Sequence, residues 1–247
     1  MYTSLFHTLN ISRQDMISRL VDLDVTSNNL ANFNTAGYKA SRSNFQEILQ
    51  QQSKEGTQLV STQMLNTQGA MRDSTNPYDL AIQGEGFFSV TMPDGKVGYT
   101  RDGQFGLDAS NNLVSASGYP LVWSGKILPG MTNFAISPEG NATATDATGK
   151  NVVLGQVSLT IFPNPTALTN KGDNIWLESV PSGKAQVGIP GAQNFGTIAS
   201  YRVEQSNIEL SQEMTRVISL QRSFSMSLKA FQQTDNMISQ AINMRKA

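Results

Sequence analysis

The chain has 247 residues, with 18 Lys and Arg against 19 Asp and Glu, a formal net charge of −1, and no cysteine. So even a charge balance gives no electrostatic reason to expect nucleic acid or an anionic membrane as partner, and the absence of thiols excludes disulfides, thiolate metal sites and cysteine nucleophiles. Hydrophobic residues make up 38% and charged residues 15%, with 20 glycines, which fits an elongated, surface-rich protein with a modest core.

At the N-terminus, Met1 to His7 carry no basic stretch, and Arg13 and Asp15 interrupt the apolar residues that follow. No cleavable secretory signal is expected, and no run approaches the ~18 apolar residues of a membrane span. By these signals the protein is cytosolic, or leaves by a route that reads no such signal. Residues 3 to about 33 predict an amphipathic helix. Phe6, Leu9, Met16, Leu20, Leu23 and Leu30 recur at four-three spacing, with Arg13 and Ser27 as polar steps. Asn32, Asn34 and Gly37 tolerate left-handed backbone and end it. A short helix is expected over 41–52, with Phe45, Ile48 and Leu49 as its apolar face. Residues 50–76 read as an extended connector with one or two strands.

From Asp79 the pattern changes to short apolar runs at 80–82, 87–90, 97–99, 113–114, 120–123, 134–136, 152–154, 157–162 and 175–177. Turn residues separate them, among them Pro93-Asp94-Gly95, Asn111-Asn112 and Glu139-Gly140. Such punctuation predicts an antiparallel all-β domain. Residues 178–196 look like an irregular return. A second helix should begin near Ser206 or Asn207, a plausible N-cap, and run to the end over roughly 57 Å. Its apolar stripe is Leu210, Met214, Val217, Phe224, Leu228, Phe231, Ile238 and Ile242, with polar Gln221 and Asp235 at two steps.

A 3.5-residue period at both ends is a coiled-coil seam, so the expected architecture is α+β: terminal helices that pair, displaying the β domain as a knob. The expected limits are 1–45 for the first helix and turn, 46–78 for the connector, 79–196 for a β domain able to fold alone, and 197–247 for the closing helix. Polar Gln221 and Asp235 in the seam would fix register and partner number. Arg222 either pairs with Asp22, Asp24, Glu204 or Glu213 or stays solvated.

Chemistry-bearing motifs are scarce. Gln83-Gly84-Glu85-Gly86 lacks the third glycine and following helix of a dinucleotide loop, so a tight turn into a buried strand is expected. Asp102, Asp108, Asn111 and Asn112 lack calcium-loop spacing and suit turns and Asx caps. His7 is the only histidine, and the carboxylates Glu139, Asp146 and Glu178 occur singly. No catalytic residue, cofactor site or metal site is expected. Only a deep pocket with convergent acids would point to an enzyme.

Four stretches together resemble the flagellar axial proteins, the rod and hook family. They are Ser27-Asn28-Asn29-Leu30-Ala31-Asn32 with Thr35-Ala36-Gly37-Tyr38-Lys39; the paired motifs Asp79 to Phe88 and Tyr99 to Phe105; the strand and turn from Gly155 to Pro165; and the closing Glu204 to Leu210, Glu213-Met214 and Gln221-Arg222-Ser223-Phe224. The resemblance covers essentially the whole chain in order and is most like a distal-rod subunit. It implies a structural protein that stacks helically into a torque-transmitting shaft, terminal helices inside and β domains outside. Its implied partners are copies of itself, other rod and hook subunits, the flagellar type III export apparatus and the envelope's bushing rings. The assembly interface expected on these grounds comprises Leu9, Met16, Leu20, Leu23, Asn28, Asn29, Leu30, Asn32, Leu210, Met214, Val217, Gln221, Arg222, Phe224, Leu228, Phe231 and Ile238. A hook or junction subunit, and a secreted β-rich adhesin on a coiled-coil stalk, are the alternative readings. The residues themselves give Asn28, Asn29 and Asn32 a helix-closing role, Gly37 a turn, and Arg101 and Asp102 a loop clamp.

Overall fold

A computed structural model describes residues 2–48 and 56–246. Helix α1 spans Tyr2–Ala31, and a hairpin of β1 (Ser41–Ile48) and β2 (Gly56–Met64) follows it. Next come β3 (Met71–Asp73), β4 (Leu80–Gln83), β5 (Phe88–Thr91), β6 (Val97–Thr100), β7 (Phe105–Leu107) and β8 (Leu113–Ser115). They continue with β9 (Thr132–Ile136), β10 (Asn141–Thr145), β11 (Asn151–Gln156), β12 (Leu159–Ile161), β13 (Thr169–Gly172) and β14 (Ile175–Leu177). The last strands are β15 (Gln186–Gly188), β16 (Thr197–Ser200) and β17 (Arg202–Glu204), before helix α2 (Leu210–Lys246). The architecture is α+β, with contacting terminal helices and a central antiparallel β region.

The chain divides into two compact units. One comprises residues 1–32, 41–65 and 208–247, and holds α1, β1, β2 and α2. The other comprises residues 33–40 and 66–207 and holds the remaining strands.

The β unit is built from small sheets rather than one. Its largest runs in the order β13-β14-β6-β5, with a three-stranded β11-β10-β9 sheet and the pairs β12-β15, β16-β4, β17-β3 and β7-β8. Side chains from these sheets meet in one apolar core, in which Leu80, Ile82, Phe88, Val90, Leu113, Val157 and Leu159 are wholly buried. Phe88 meets Phe105 edge to face at 5.4 Å between centroids, the arrangement the ring quadrupole favours. The backbone approaches itself closely where Leu80 donates to the Gly103 carbonyl at 2.9 Å. A β-carbon at Gly103 would lie 1.5 Å from the Leu80 carbonyl oxygen, so only glycine fits there.

Three sequence expectations need correction. Residues 41–48 form strand β1 rather than a helix, while 49–52 of that expectation lie outside the described residues. Tertiary pairing with β2 along the whole of β1 overrides the local helical pattern, and a bulge between Asn44 and Phe45 sets the register. Residues 120–123 make only isolated bridges, Val90 to Leu121 and Trp123 to Val157 among them. The expected helix start near Ser206 or Asn207 falls short of the observed Leu210. Asn207 is engaged elsewhere, its Oδ1 accepting from Ala40 N at 2.8 Å and its Nδ2 donating to Thr67 Oγ1 at 2.9 Å.

Candidate assembly interface

The two helices run antiparallel. Ser227 Oγ donates to Asp15 Oδ2 at 2.6 Å and Arg216 Nη2 to Asp22 Oδ1 at 2.9 Å, so rising numbers on one helix meet falling numbers on the other. Asp22 Oδ1 also accepts from Ser43 Oγ of β1. The face of α2 withdrawn from water carries Glu213, Val217, Leu220, Phe224, Ser227, Phe231, Thr234 and Ile238. This is a four-three pattern, but it coincides with the sequence-read stripe only at Val217, Phe224, Phe231 and Ile238. At the alternate steps the less exposed position precedes the expected one by a single residue: Leu220 instead of Gln221, half-buried Ser227 instead of Leu228, Thr234 instead of Asp235.

The consequence is an unusual division of surface. Gln221, Arg222 and Asp235 are exposed, so the polar seam steps read from the sequence are not in this seam, and the cation that reaches Asp22 is Arg216. Leu210, Met214, Ile218, Met226, Leu228 and Met237 are exposed apolar residues on α2, as are Ile11, Ile17 and Leu20 on α1. Meanwhile Ser18, Thr26 and Asn29 are the buried ones among the described side chains of α1, with Leu9, Met16, Leu23 and Leu30 half-buried. The side chains of Phe6 and Ile242 lie outside the described residues. The interior of this pair thus mixes polar Ser18, Thr26, Asn29 and Thr234 with apolar Leu220 and Ile238, while many other apolar residues face out.

The asparagines have distinct duties. Asn29 holds Ser41 by two bonds, its Oδ1 accepting from Ser41 N and its Nδ2 donating to Ser41 O, both at 2.9 Å. Asn28 Nδ2 donates to Asp24 O at 3.3 Å and Asn32 Nδ2 to Asn28 O at 2.9 Å, closing the last turn of α1. These bonds tie the end of the helix to the start of the hairpin.

In the β unit the sequence motifs converge on a buried charge cluster. Glu204 Oε1 accepts from Lys39 Nζ at 2.6 Å and from Gly69 N at 2.9 Å, while Glu204 Oε2 faces Arg101 Nη1 at 3.4 Å. Lys39 Nζ also donates to Thr67 O, and Arg101 Nη2 to Gly84 O at 2.9 Å, with the guanidinium 5.2 Å from the Phe87 ring centroid. None of the three charged side chains is more than 2% exposed. Burial pulls the pKa of both Lys39 and Arg101 down, and the adjacent Glu204 carboxylate draws both back up. The expected loop clamp at Arg101 therefore exists, holding the Gln83–Gly86 turn before the buried Phe87 and Phe88. Gly37, in left-handed backbone at φ 63°, donates to Glu204 O at 2.7 Å and packs against the Arg101 backbone, where a β-carbon would sit 2.3 Å away. Sequence reading singles out Lys39 and Glu204 only within resembling motifs. Charged residues 165 positions apart give no local signal of a shared pocket.

The remaining polar motifs serve turns. Asp108 Oδ1 accepts from Ser110 N and Asn112 N at 2.8 and 2.7 Å, closing the β7-β8 hairpin. Asp102 Oδ1 accepts from Gln104 N at 3.0 Å, yet burial, with Asp79 nearby, pushes the Asp102 pKa up to about 6. A groove of about 490 Å³ runs along Phe87, Phe162, Pro163 and Pro165, and Glu85 is the only acid lining it. Hydrolysis by paired carboxylates has no partner acid there. Among the described residues, no group of three or more His, Asp or Glu side chains gathers in metal-ligating proximity, and no helix is long and apolar enough to cross a membrane.

Comparison with known proteins matches the chain in segments. Residues 9–39 match the flagella basal body rod protein family, 81–144 the flagellar hook protein FlgE/F/G D1 domain, and 199–244 the flagellar basal body rod FlgEFG protein C-terminal family. Whole-length relatives include the flagellar basal-body rod protein FlgG of Borreliella burgdorferi, 32% identical over 94% of this chain and 96% of that protein. FlgG of Caulobacter vibrioides is 31% identical over 96% and 98%, and FlgG of Bacillus subtilis 31% over 91% and 93%. A FlgF from Mesorhizobium japonicum is 28% identical over 89% of this chain. The chain belongs to the FlgG family of flagellar basal-body rod proteins, non-enzymatic structural subunits of the rod.

Proposed function

We propose that the outward apolar face of the helical pair is the surface on which this subunit joins copies of itself and the neighbouring rod and hook subunits. The observation that carries this reading is the apolar surface left outside the pair: Leu20, Met214, Ile218 and Leu228 face water while polar Ser18, Thr26 and Thr234 take buried positions. Burying a large apolar side chain gains about 1.5–3 kcal/mol, so several such residues covered together favour polymerisation. Ordering the helix ends opposes it, which makes contact with a single neighbour weak and contact with several strong. Exposed Gln221 and Arg222 lie on the outer side of α2, where they can set register between subunits, and Asn28 and Asn32 stand at the exit of α1. The shaft so built transmits torque through the envelope and turns within its bushing rings. The subunit reaches its place outside the cytoplasm through the flagellar type III route.

Two substitutions separate folding from assembly. Leu113→Asp puts a charge at a wholly buried position in the core of the β unit and should lower the melting temperature of the isolated subunit. Leu228→Asp, at 38% exposure, should leave melting and export unchanged and abolish motility. Normal motility with Leu228→Asp would remove the outward face as the interface. Size-exclusion chromatography followed by negative-stain microscopy adds a second check: a rod subunit gives open polymers at high concentration, whereas a stalked adhesin gives one closed oligomer.

A further inference from the structure

The buried charge cluster draws on segments that are far apart in the chain. Lys39 precedes every strand of the β unit, Arg101 follows β6, and Glu204 is the last residue of its last strand. Through its carboxylate and its backbone carbonyl, Glu204 accepts from Lys39, Gly69, Arg101 and Gly37 at once. Until Glu204 arrives, closing the unit would bury two cations that have no counter-charge in direct contact, and a buried unpaired charge is strongly unfavourable. The apolar core has the same dependence. Wholly buried Leu80 and Ile82 of β4 pair along that strand with Ser200 and Ile198 of β16, and β3 pairs only with β17 among the described strands. A segment limited to 79–196 lacks β16, β17, Lys39 and Glu204 together.

We propose that the Lys39–Glu204–Arg101 cluster is a completion lock: the β unit closes only when residues 197–204 bring Glu204 to the two cations, so a chain delivered N-terminus first stays open until nearly all of it has arrived. The value of such a device to a subunit that must be threaded through a channel rests on the export reading above, but the lock itself is a property of folding and is tested without any flagellum. A net excess of one buried cation in the triad makes Glu204 the member whose loss matters most, since Lys39 can be neutralised and still leave a balanced Arg101–Glu204 pair.

The test is pulsed hydrogen-exchange labelling during refolding of the full chain from denaturant. The amides of β4, β5 and β6 should gain protection in the same kinetic phase as those of β3 and β17. Glu204→Gln should slow that phase at least about tenfold, whereas Lys39→Met should stay within about threefold of the parent. Should Glu204→Gln fail to refold at all, that outcome agrees with the lock, and the order of protection in the parent still decides the matter. Protection of β4 to β6 in a phase earlier than β17, or refolding of Glu204→Gln at the parental rate, would overturn the proposal.

Discussion

The β unit and the helical unit solve burial in opposite ways. In the β unit the interior is apolar and closed: Phe88, Leu113, Val157 and Leu159 are wholly buried, and the inward cations Lys39 and Arg101 gather on the Glu204 carboxylate. In the helical unit Ser18, Thr26, Asn29 and Thr234 share the interior with Leu220 and Ile238, Asp15 and Asp22 bond across to α2, and Leu20, Met214, Ile218 and Leu228 face outward. Hydrophobic burial drives folding, so a region with its apolar surface outside has used little of that driving force. The comparison teaches where the subunit ends as a folding problem and begins as an assembly problem. One unit encloses its apolar core; the other leaves apolar residues for the proposed neighbours to cover.

The sharpest way to break the comparison is to truncate matched apolar side chains in the two regions. Phe88→Ala opens a cavity in the closed core and should cost about 3–5 kcal/mol in urea unfolding of the isolated subunit. Ile218→Ala, at a position 50% exposed, should change that stability by no more than about 0.5 kcal/mol yet reduce polymerisation. Equal losses of subunit stability would mean that the helical pair is as finished as the β unit.

A smaller effect sharpens the picture of the β unit's electrostatics. Burial raises the Asp102 pKa from 3.8 to about 6, which favours the protonated acid in the folded state. Its contribution to stability is therefore full below pH ~4 and is lost as pH rises through about 6. Asp102→Asn keeps an oxygen for Gln104 N but removes the charge. Its advantage over the parent in urea midpoint should grow from pH 4 to pH 7, by up to about 3 kcal/mol. An advantage independent of pH would show that Asp102 is not the group responsible.

Much of the architecture is legible in the amino-acid pattern alone. The change of apolar period near Asp79, the turns at Pro93-Asp94-Gly95 and Glu139-Gly140, and the two long helices are local signals, and all are observed. What the pattern hides is non-local. Strand β1 exists because β2 pairs with it, and short strands such as β16 and β17 lie in a stretch that reads as loop and helix because their partners, β4 and β3, are more than a hundred residues away. The apolar stripe of α2 misplaces the helical seam by one residue at every second step for a different reason. Apolar residues mark the stripe that wants cover, which is not the same as the stripe this chain covers by itself. Leu228 is the visible choice and Ser227 the occupied one, because Asp15 on α1 offers Ser227 a hydrogen-bond partner. Lys39 and Glu204 stand out only as members of resembling motifs, since nothing local in a sequence pairs charges across most of its length.

The most direct measurement is amide hydrogen exchange on the dilute, proven monomer, repeated after polymerisation. Strands between residues 79 and 177 should be protected in both states. Residues 2–31 and 210–246 should exchange near the unstructured rate in the monomer, because Ile17, Leu20, Met214, Ile218 and Leu228 lie outside the seam and leave two long helices weakly held, and should become protected on assembly. Strong protection of both helices in the monomer would contradict the account and make the helical pair a self-contained hairpin.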